Sequence, residues 1–383
     1  MKKRMKALAA LLCVTAMVTG CGSGASDSGT SSAKTQTQKE EGSAKTDESQ
    51  EKKSEVTIGF SSEGDSFDPC TGFGYTGSPL YSNLVKVNGD DQLENDLATD
   101  YTVSDDALTW TFQIRDDVKF TNGDALKASD VAFTFNTAKE KATYMDLTMM
   151  ESCTAKDDTT VEFKLTKPCV TFIYTVAQMG IVPEKAYSDK FGMSADQIIG
   201  SGPYKMVQWD KGQQVIFEAN PDYYGDAPKM RQVTILFMEE DAAFAAVRAG
   251  QVDVAYTAAS YADQSVPEFS LLDCETVDNR GFNLPAVPET VREDGVKIGN
   301  DFTADVQVRR AINLAIDRQE MIDHVLNGYG SPAYSVCDKM PWYNDEMENI
   351  SYDVEKADEM LDAAGWKKNA DGIREKDGVK AIL

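Results

Sequence analysis

Between Val56 and Phe60 every second residue is apolar. Val56, Ile58 and Phe60 alternate with Thr57 and Gly59, the two-residue period of a strand. The period returns at Leu108, Trp110, Phe112 and Ile114 and again at Val161, Phe163 and Leu165. Between these runs Ser129 is placed to cap a helix with Val131, Ala132, Phe135 and Ala138 along one face. The stretch from Gly200 to Gly225 concentrates turn residues and bulky apolar ones. Gly200 and Gly202 supply backbone freedom, and Pro203 leads into two alternating runs, Tyr204 to Trp209 and Val215 to Ala219, which predict a core hairpin turning at residues 210–213. Val233, Ile235 and Phe237 predict a strand, Asp241 to Ala249 a helix closed by Gly250, and Val252, Val254 and Tyr256 a second strand. The strands of such a βαβ unit run parallel, and ligands sit at their carboxyl ends. From Asp305 the spacing turns helical: one helix to Ile316, one capped by Asp317 and ending near Gly328, and one capped by Asp353 and stopping at Gly365. Strands mixed with helices predict an α/β or mixed α+β body, not a bundle or a sandwich.

Length and charge add an address. The 383 residues exceed one ordinary domain, so two or three are expected. Lys2, Lys3, Arg4 and Lys6 precede an apolar run from Ala7 to Val18 that is too short to span a bilayer. Val18-Thr19-Gly20-Cys21 resembles the lipobox of bacterial lipoproteins, so residues 1–20 are read as a signal peptide and Cys21 as the lipid attachment site. Residues 22–54 hold three alanines and no Leu, Ile, Val or aromatic residue, the composition of a flexible tether. Its reach is about 30 Å. Removal of the signal peptide takes the net charge from −25 to −29, which argues against nucleic acid as a partner. Cys70, Cys153, Cys169, Cys274 and Cys337 are scattered, odd in number and form no CxxC, so they do not read as a disulfide framework.

Sought chemistry is mostly missing. Gly72-Phe73-Gly74-Tyr75-Thr76-Gly77 fits GxGxxG, but it lies well beyond its strand and reads instead as a Gly-rich loop with two exposed aromatics. His324 is the single histidine, which excludes HExxH, a triad of histidines and any multi-His metal site; there is no GxSxG and no Gly-Lys pair for a P-loop. No cofactor is expected. Carboxylates are abundant, yet no spacing singles out a catalytic pair. Met149-Met150, Tyr223-Tyr224 and Trp342-Tyr343 fit a pocket lining less well than plain packing.

Ordered blocks along nearly the whole mature chain resemble the family 5 extracellular solute-binding proteins of ABC importers, which bind oligopeptides, dipeptides or nickel. They are Ser66-Phe67-Asp68-Pro69, Leu97 to Tyr101, Asp105 to Phe112, Arg115 to Gly123, Ser129-Asp130-Val131, Gly200-Ser201-Gly202-Pro203-Tyr204 with Asn220 to Tyr224, Gly250 to Asp253, Val306 to Ala311, Ala315 to Arg318, Gly328 to Ala333, and Ala363 to Trp366. The resemblance implies a type II periplasmic-binding-protein clamshell of two lobes and three domains. Domain I takes residues 55–92 and 196–282, domain II residues 93–195, and domain III begins at 283. In the family domain III is longer and the chain returns to domain I. Here it ends on Val379 to Leu383, read as a strand begun without a partner, so a C-terminal truncation is expected.

By that resemblance the loop after Asp68-Pro69 lines the cleft, which makes Phe73, Gly74 and Tyr75 ligand neighbours. Tyr144 is the aromatic contribution of domain II, and Phe282 and Asn283 stand at the crossing into domain III. The expected role is non-enzymatic: a monomer, anchored to the membrane by lipid, captures a peptide or another small solute and delivers it to a permease. Within the family a nickel or metal-chelate ligand is the alternative. Outside it stand a surface receptor or adhesin, and a secreted glycoside hydrolase using paired acids.

Overall fold

The computed structural model describes residues 53–72, 79–89, 92–141, 145–274, 278–338, 340, 342–344, 346 and 349–382. The signal peptide, Cys21 and nearly all of the tether lie outside them. The first strand, β1 (Glu55–Phe60), is followed by a small antiparallel pair, β2 (Val85–Val87) and β3 (Leu93–Asn95). Next, β4 (Ala98–Val103), β5 (Thr109–Ile114), β6 (Met150–Ala155) and β7 (Thr160–Leu165) make an antiparallel sheet in the order β4-β5-β7-β6. Helix α1 (Ala128–Glu140) packs on β6 and β7, and the short α2 (Phe172–Val176) follows. The alternation on β5 and β7 works as expected. Trp110, Phe112 and Ile114 face inward beside Val161, Phe163 and Leu165, while Gln113 and Lys164 are exposed.

The hairpin is β8 (Tyr204–Asp210) and β9 (Gln214–Ala219), turning at Gly212, whose φ is +73°. With β10 (Gln232–Phe237), α3 (Glu240–Arg248) and β11 (Val254–Ala255) it builds a mixed sheet in the order β11-β1-β10-β9-β8. Strand β1 runs parallel to both β10 and β11, so the βαβ unit leaves one place between its strands and β1 fills it. Gly59 of β1 admits α3 there: an added Cβ would stand 3.3 Å from that of Ala243. One continuous core joins the two sheets, from Phe112, Phe135 and Phe163 through Leu80 and Leu84 to Val215 and Phe217. Each such side chain contributes about 1.5–3 kcal/mol by leaving water.

Beyond a small hairpin, β12 (Thr290–Val291) and β13 (Lys297–Ile298), come α4 (Val306–Ala315), α5 (Arg318–Val325) and α6 (Val354–Ala363). A three-stranded meander closes the chain: β14 (Lys367–Lys368), β15 (Arg374–Lys376) and β16 (Val379–Lys380). Separate small cores hold this part, one around Phe302, Val308 and Trp366, the other around Ala311, Leu314 and Ala357.

Three local expectations are corrected. Helix α1 starts at Ala128, and the carboxylate of Asp130, not Ser129, serves its first turn by accepting from the Lys127 N–H at 2.9 Å. The last strand does have a partner: Val379 and Lys380 pair with Lys376 and Glu375 of β15 across an Asp377-Gly378 turn with φ of 52° and 83°. Gly200 and Gly202 have no left-handed backbone; they are small because the chain at 79–81 passes against them. A Cβ on Gly200 would lie 1.9 Å from the Leu80 carbonyl oxygen, and one on Gly202 2.4 Å from that of Pro79.

Candidate functional site

Three parallel strands, β1, β10 and β11, end side by side at Phe60, Phe237 and Ala255, and the chain leaving β1 becomes the Ser66-Phe67-Asp68-Pro69 loop. A buried carboxylate needs hydrogen-bond donors, and Asp68, 4% exposed, has three. Its oxygens accept from the Cys70 N–H at 2.9 Å, the Thr71 hydroxyl at 3.0 Å and the Tyr187 hydroxyl at 2.6 Å. The Asp68 carbonyl accepts from the N–H groups of Thr71 and Gly72, so the chain turns tightly up to Gly72. Outside contacts hold the same loop. Tyr81 donates to the Phe67 carbonyl at 2.6 Å, and the Phe67 N–H donates to the Gly192 carbonyl at 3.0 Å. Gly192, φ +74°, passes so close that a Cβ would sit 2.3 Å from the Asp68 nitrogen.

Burial, reinforced by the Asp68 charge, pushes the Cys70 thiol up to about 12, so it is a packing residue and not a nucleophile. Burial first, then the bond to Asp68, raises the Tyr187 phenol, which therefore stays a donor.

The hairpin braces this loop from the other side. Glu63 accepts from Trp209 Nε1 and from the Gly212 N–H, each at 2.7 Å, and the Trp209 ring stands edge-on to Phe67 at 4.7 Å. At the carboxyl end of β1, Phe60 meets Tyr256 edge-on at 5.6 Å, and Tyr256 keeps half its surface in solvent. Farther along, Asn279 donates to the Ser335 carbonyl at 2.8 Å, and Trp342 packs edge-on against Tyr174 of α2 at 4.9 Å. These contacts tie the segment after β13 back to the crossing at Asn279 and to α2.

Of the residues read from sequence, Phe73, Gly74, Tyr75 and Tyr144 lie outside the described residues. Phe282, 70% exposed, and Asn283, also exposed, lie on the crossing between the cores. His324 is an exposed residue of α5, and Met150 is core. Among the described residues no group of three or more His, Cys, Asp or Glu side chains is placed to hold a metal ion. Two surface depressions lie elsewhere, one beside Arg115 and Asp117 and one along α1, and neither is lined by Asp68, Tyr187 or Phe282. Sequence reasoning missed Glu63, Tyr81, Tyr187 and Gly192. The only signal was Asp68 itself, an acid between Phe67 and Pro69 that required a distant donor.

A mixed sheet with its parallel strands ending at a braced loop, joined to an antiparallel sheet and followed by a helical segment with its own cores, defines a binding protein of the type II periplasmic class. The chain belongs to the bacterial extracellular solute-binding proteins, family 5, whose middle-region model matches residues 92–383. It is 33% identical over 341 residues to Protein XP55 of Streptomyces lividans, covering 85% of this chain and 60% of that protein. Identity to the oligopeptide-binding protein AppA of Bacillus subtilis is 30% over 326 residues, 79% of this chain and 57% of the relative. The chain thus spans somewhat over half the length of these relatives. Among solved structures it resembles NikZ from Campylobacter jejuni in complex with Ni(L-His), with TM-score 0.73, 27% identity, 86% of this chain and 66% of that one. It also resembles AppA from Bacillus subtilis in complex with a nonapeptide, with TM-score 0.67, 27% identity, 85% of this chain and 67% of that one.

Proposed function

We propose that the protein is the extracytoplasmic capture component of an ABC importer, held to the membrane by lipid on Cys21, and that it takes a peptide between two lobes and passes it to a permease. The observation that carries this reading is its likeness, in sequence and in fold, to AppA, an oligopeptide-binding protein solved with a nonapeptide. In this reading residues 55–92 and 196–282 form one domain, 93–195 a second and 283–383 part of a third. Phe73, Gly74, Tyr75 and Tyr144 meet the ligand from one lobe, and Phe282 and Asn283 meet it at the crossing. Contacts bridging the lobes favour the closed state by as much as the ligand binds it better than the open one.

The test is thermal unfolding of the full chain with a nonapeptide pool and with Ni(L-His). Bound at a hundred times its Kd, a ligand stabilises by about 2.7 kcal/mol, so a saturable rise in Tm with the peptides is the expected result. No shift with either probe overturns the reading. A shift with Ni(L-His) alone selects the metal-chelate alternative, which the likeness to NikZ favours. Capture of a permease from detergent-solubilised membranes separates an importer component from a receptor or adhesin. Turnover of a glycan is the only result that favours a hydrolase.

A further inference from the structure

The two edges of the antiparallel sheet differ. Backbone groups that point away from a neighbouring strand need partners elsewhere. On β6 helix α1 supplies them: Asn136 donates to the Cys153 carbonyl at 2.8 Å and accepts from its N–H at 3.2 Å, and Lys139 Nζ donates to the Met150 and Glu151 carbonyls at 2.6 and 3.0 Å. At the end of β4 the Ser104 N–H bonds the Thr109 carbonyl, so the alternation of the ladder turns the backbone groups of Tyr101 and Val103 outward, away from β5. The Tyr101 N–H turns to the Asp100 carboxylate at 2.9 Å, whereas the Tyr101 carbonyl and both backbone groups of Val103 have no partner among the described residues. Both side chains are exposed as well, although they stand opposite Phe112 and Trp110 on the face that forms the core. The Tyr101 ring lies nearly parallel to those of Phe112, at 5.3 Å, and Trp110, at 6.0 Å. The apolar face therefore runs on past β5 and ends uncovered.

We propose that the free edge of β4 is a docking site for an extended segment of another protein, one in which apolar and basic residues alternate. The alternation follows from the strand. A chain pairing with Val103 lays every second side chain beside Tyr101 and Val103, where apolar groups are wanted, and the others on the opposite face, beside Asp100. Acids flank the edge: Asp105 and Asp106 in the turn that follows β4, and Asp116 and Asp117 in the depression that Thr99 lines near its start. Arg115, the cation of that depression, is already committed to Asp117 and to the Tyr224 ring. A second copy is a poor occupant, because two β4 strands pairing antiparallel would bring Asp100 of each toward Asp105 and Asp106 of the other, on chains of net charge −25. The tether is another poor one, since residues 22–54 have no Leu, Ile, Val or aromatic side chain to lay beside Tyr101.

The test is fluorescence anisotropy on the full chain, with a labelled heptapeptide of alternating Lys and Val and its Glu/Val counterpart as probes. The Lys/Val peptide should bind saturably and the Glu/Val peptide roughly tenfold or more weaker, the difference fading at about 1 M salt, where charges are screened beyond ~3 Å. In the complex the Val103 amide should exchange with deuterium roughly tenfold more slowly than in the free chain. Val103→Pro removes the outward N–H at a place where an edge strand tolerates proline, and should weaken the Lys/Val peptide roughly tenfold. Asp100→Lys with Asp116→Lys changes only exposed side chains and should reverse the preference between the two peptides. Absence of Lys/Val binding, equal binding of both peptides, or binding that leaves the Val103 amide unprotected overturns the proposal. So does a Val103 amide already protected in the free chain. Protection that rises with protein concentration would give the edge to a second copy, and protection independent of concentration would give it to the chain's own tether.

Discussion

Ala107 sits where glycine belongs. Its φ is +55°, in the turn between β4 and β5 that is pinned by Ser104 and Asp106, whose side chains accept from the N–H groups of Thr109 at 2.9 Å and Leu108 at 3.1 Å. A left-handed L residue costs about 1–2 kcal/mol, and glycine returns about 0.5–1 kcal/mol of that as extra freedom of the unfolded chain. Ala107→Gly should therefore stabilise by roughly 0.5–1 kcal/mol, read as a higher urea midpoint with an unchanged slope. A lower midpoint would show that the methyl packs in a way that outweighs the strain. The reverse holds at Gly200, where the Leu80 carbonyl leaves no room for a methyl. Neither fact was legible in sequence. Nothing distinguishes Ala107 from an ordinary turn residue, and Gly200 invited an explanation by backbone freedom because its neighbour in space, 120 residues earlier, is not its neighbour in the chain.

At the scale of elements, legibility followed locality. The caps of α5 and α6 could be read directly, while that of α4, Asp305, reads in sequence as the helix's first residue: Asp305, Asp317 and Asp353 accept from the N–H groups of Gln307, Glu320 and Lys356 at 2.9, 2.9 and 2.8 Å. Strands β5 and β7 announced themselves because one face is buried. Strands β4 and β6 did not: β4 is exposed after Ala98, β6 has no clean alternation, and both are strands through pairing with β5 and β7. Equally hidden was the lock on the C-terminal meander, where buried Arg374 bonds Asp358 at 2.6 Å and Asp362 at 2.7 Å, and Lys376 and Trp366 share Asp305. The bonds from Lys368 and then Arg374 hold Asp358 below its ordinary value, and the Arg374 bond does the same for Asp362. At Asp305 burial works upward and is outweighed by Lys376 and Trp366. Carboxyls depressed in the fold stabilise it fully above their ordinary value of 3.8 and lose that contribution as pH falls through the lower folded values. Acid titration should thus release Trp366 below pH 3.8, seen as a change in its emission, and Asp358→Asn with Asp362→Asn should flatten that transition. An identical transition in the double variant would place the acid-sensitive groups elsewhere.

The molecule as a whole has its packing on either side of one long exposed passage. The first core and its satellite end with Val252 and Val266, the next begins at Phe302, and among the described residues between them none is buried. Leu271, Leu272 and Phe282 are 55%, 75% and 70% exposed there, and the Arg280 side chain is 83% exposed next to Gly281. Backbone with so few contacts opens locally at little cost, which is what a protease requires. Limited trypsin treatment should therefore cut the folded part first after Arg280, giving a C-terminal fragment that begins Gly281-Phe282 by mass spectrometry. A first cut between 302 and 382 would mean that the helical segment, not the crossing, opens most easily. The same bond also tests the site. If Phe282 and Asn283 meet the ligand, cleavage must wait for dissociation, so a nonapeptide at a hundred times its Kd should slow it roughly a hundredfold. A nonapeptide that raises Tm and leaves this rate unchanged would remove the crossing from the site and leave the loop braced by Asp68 as its centre.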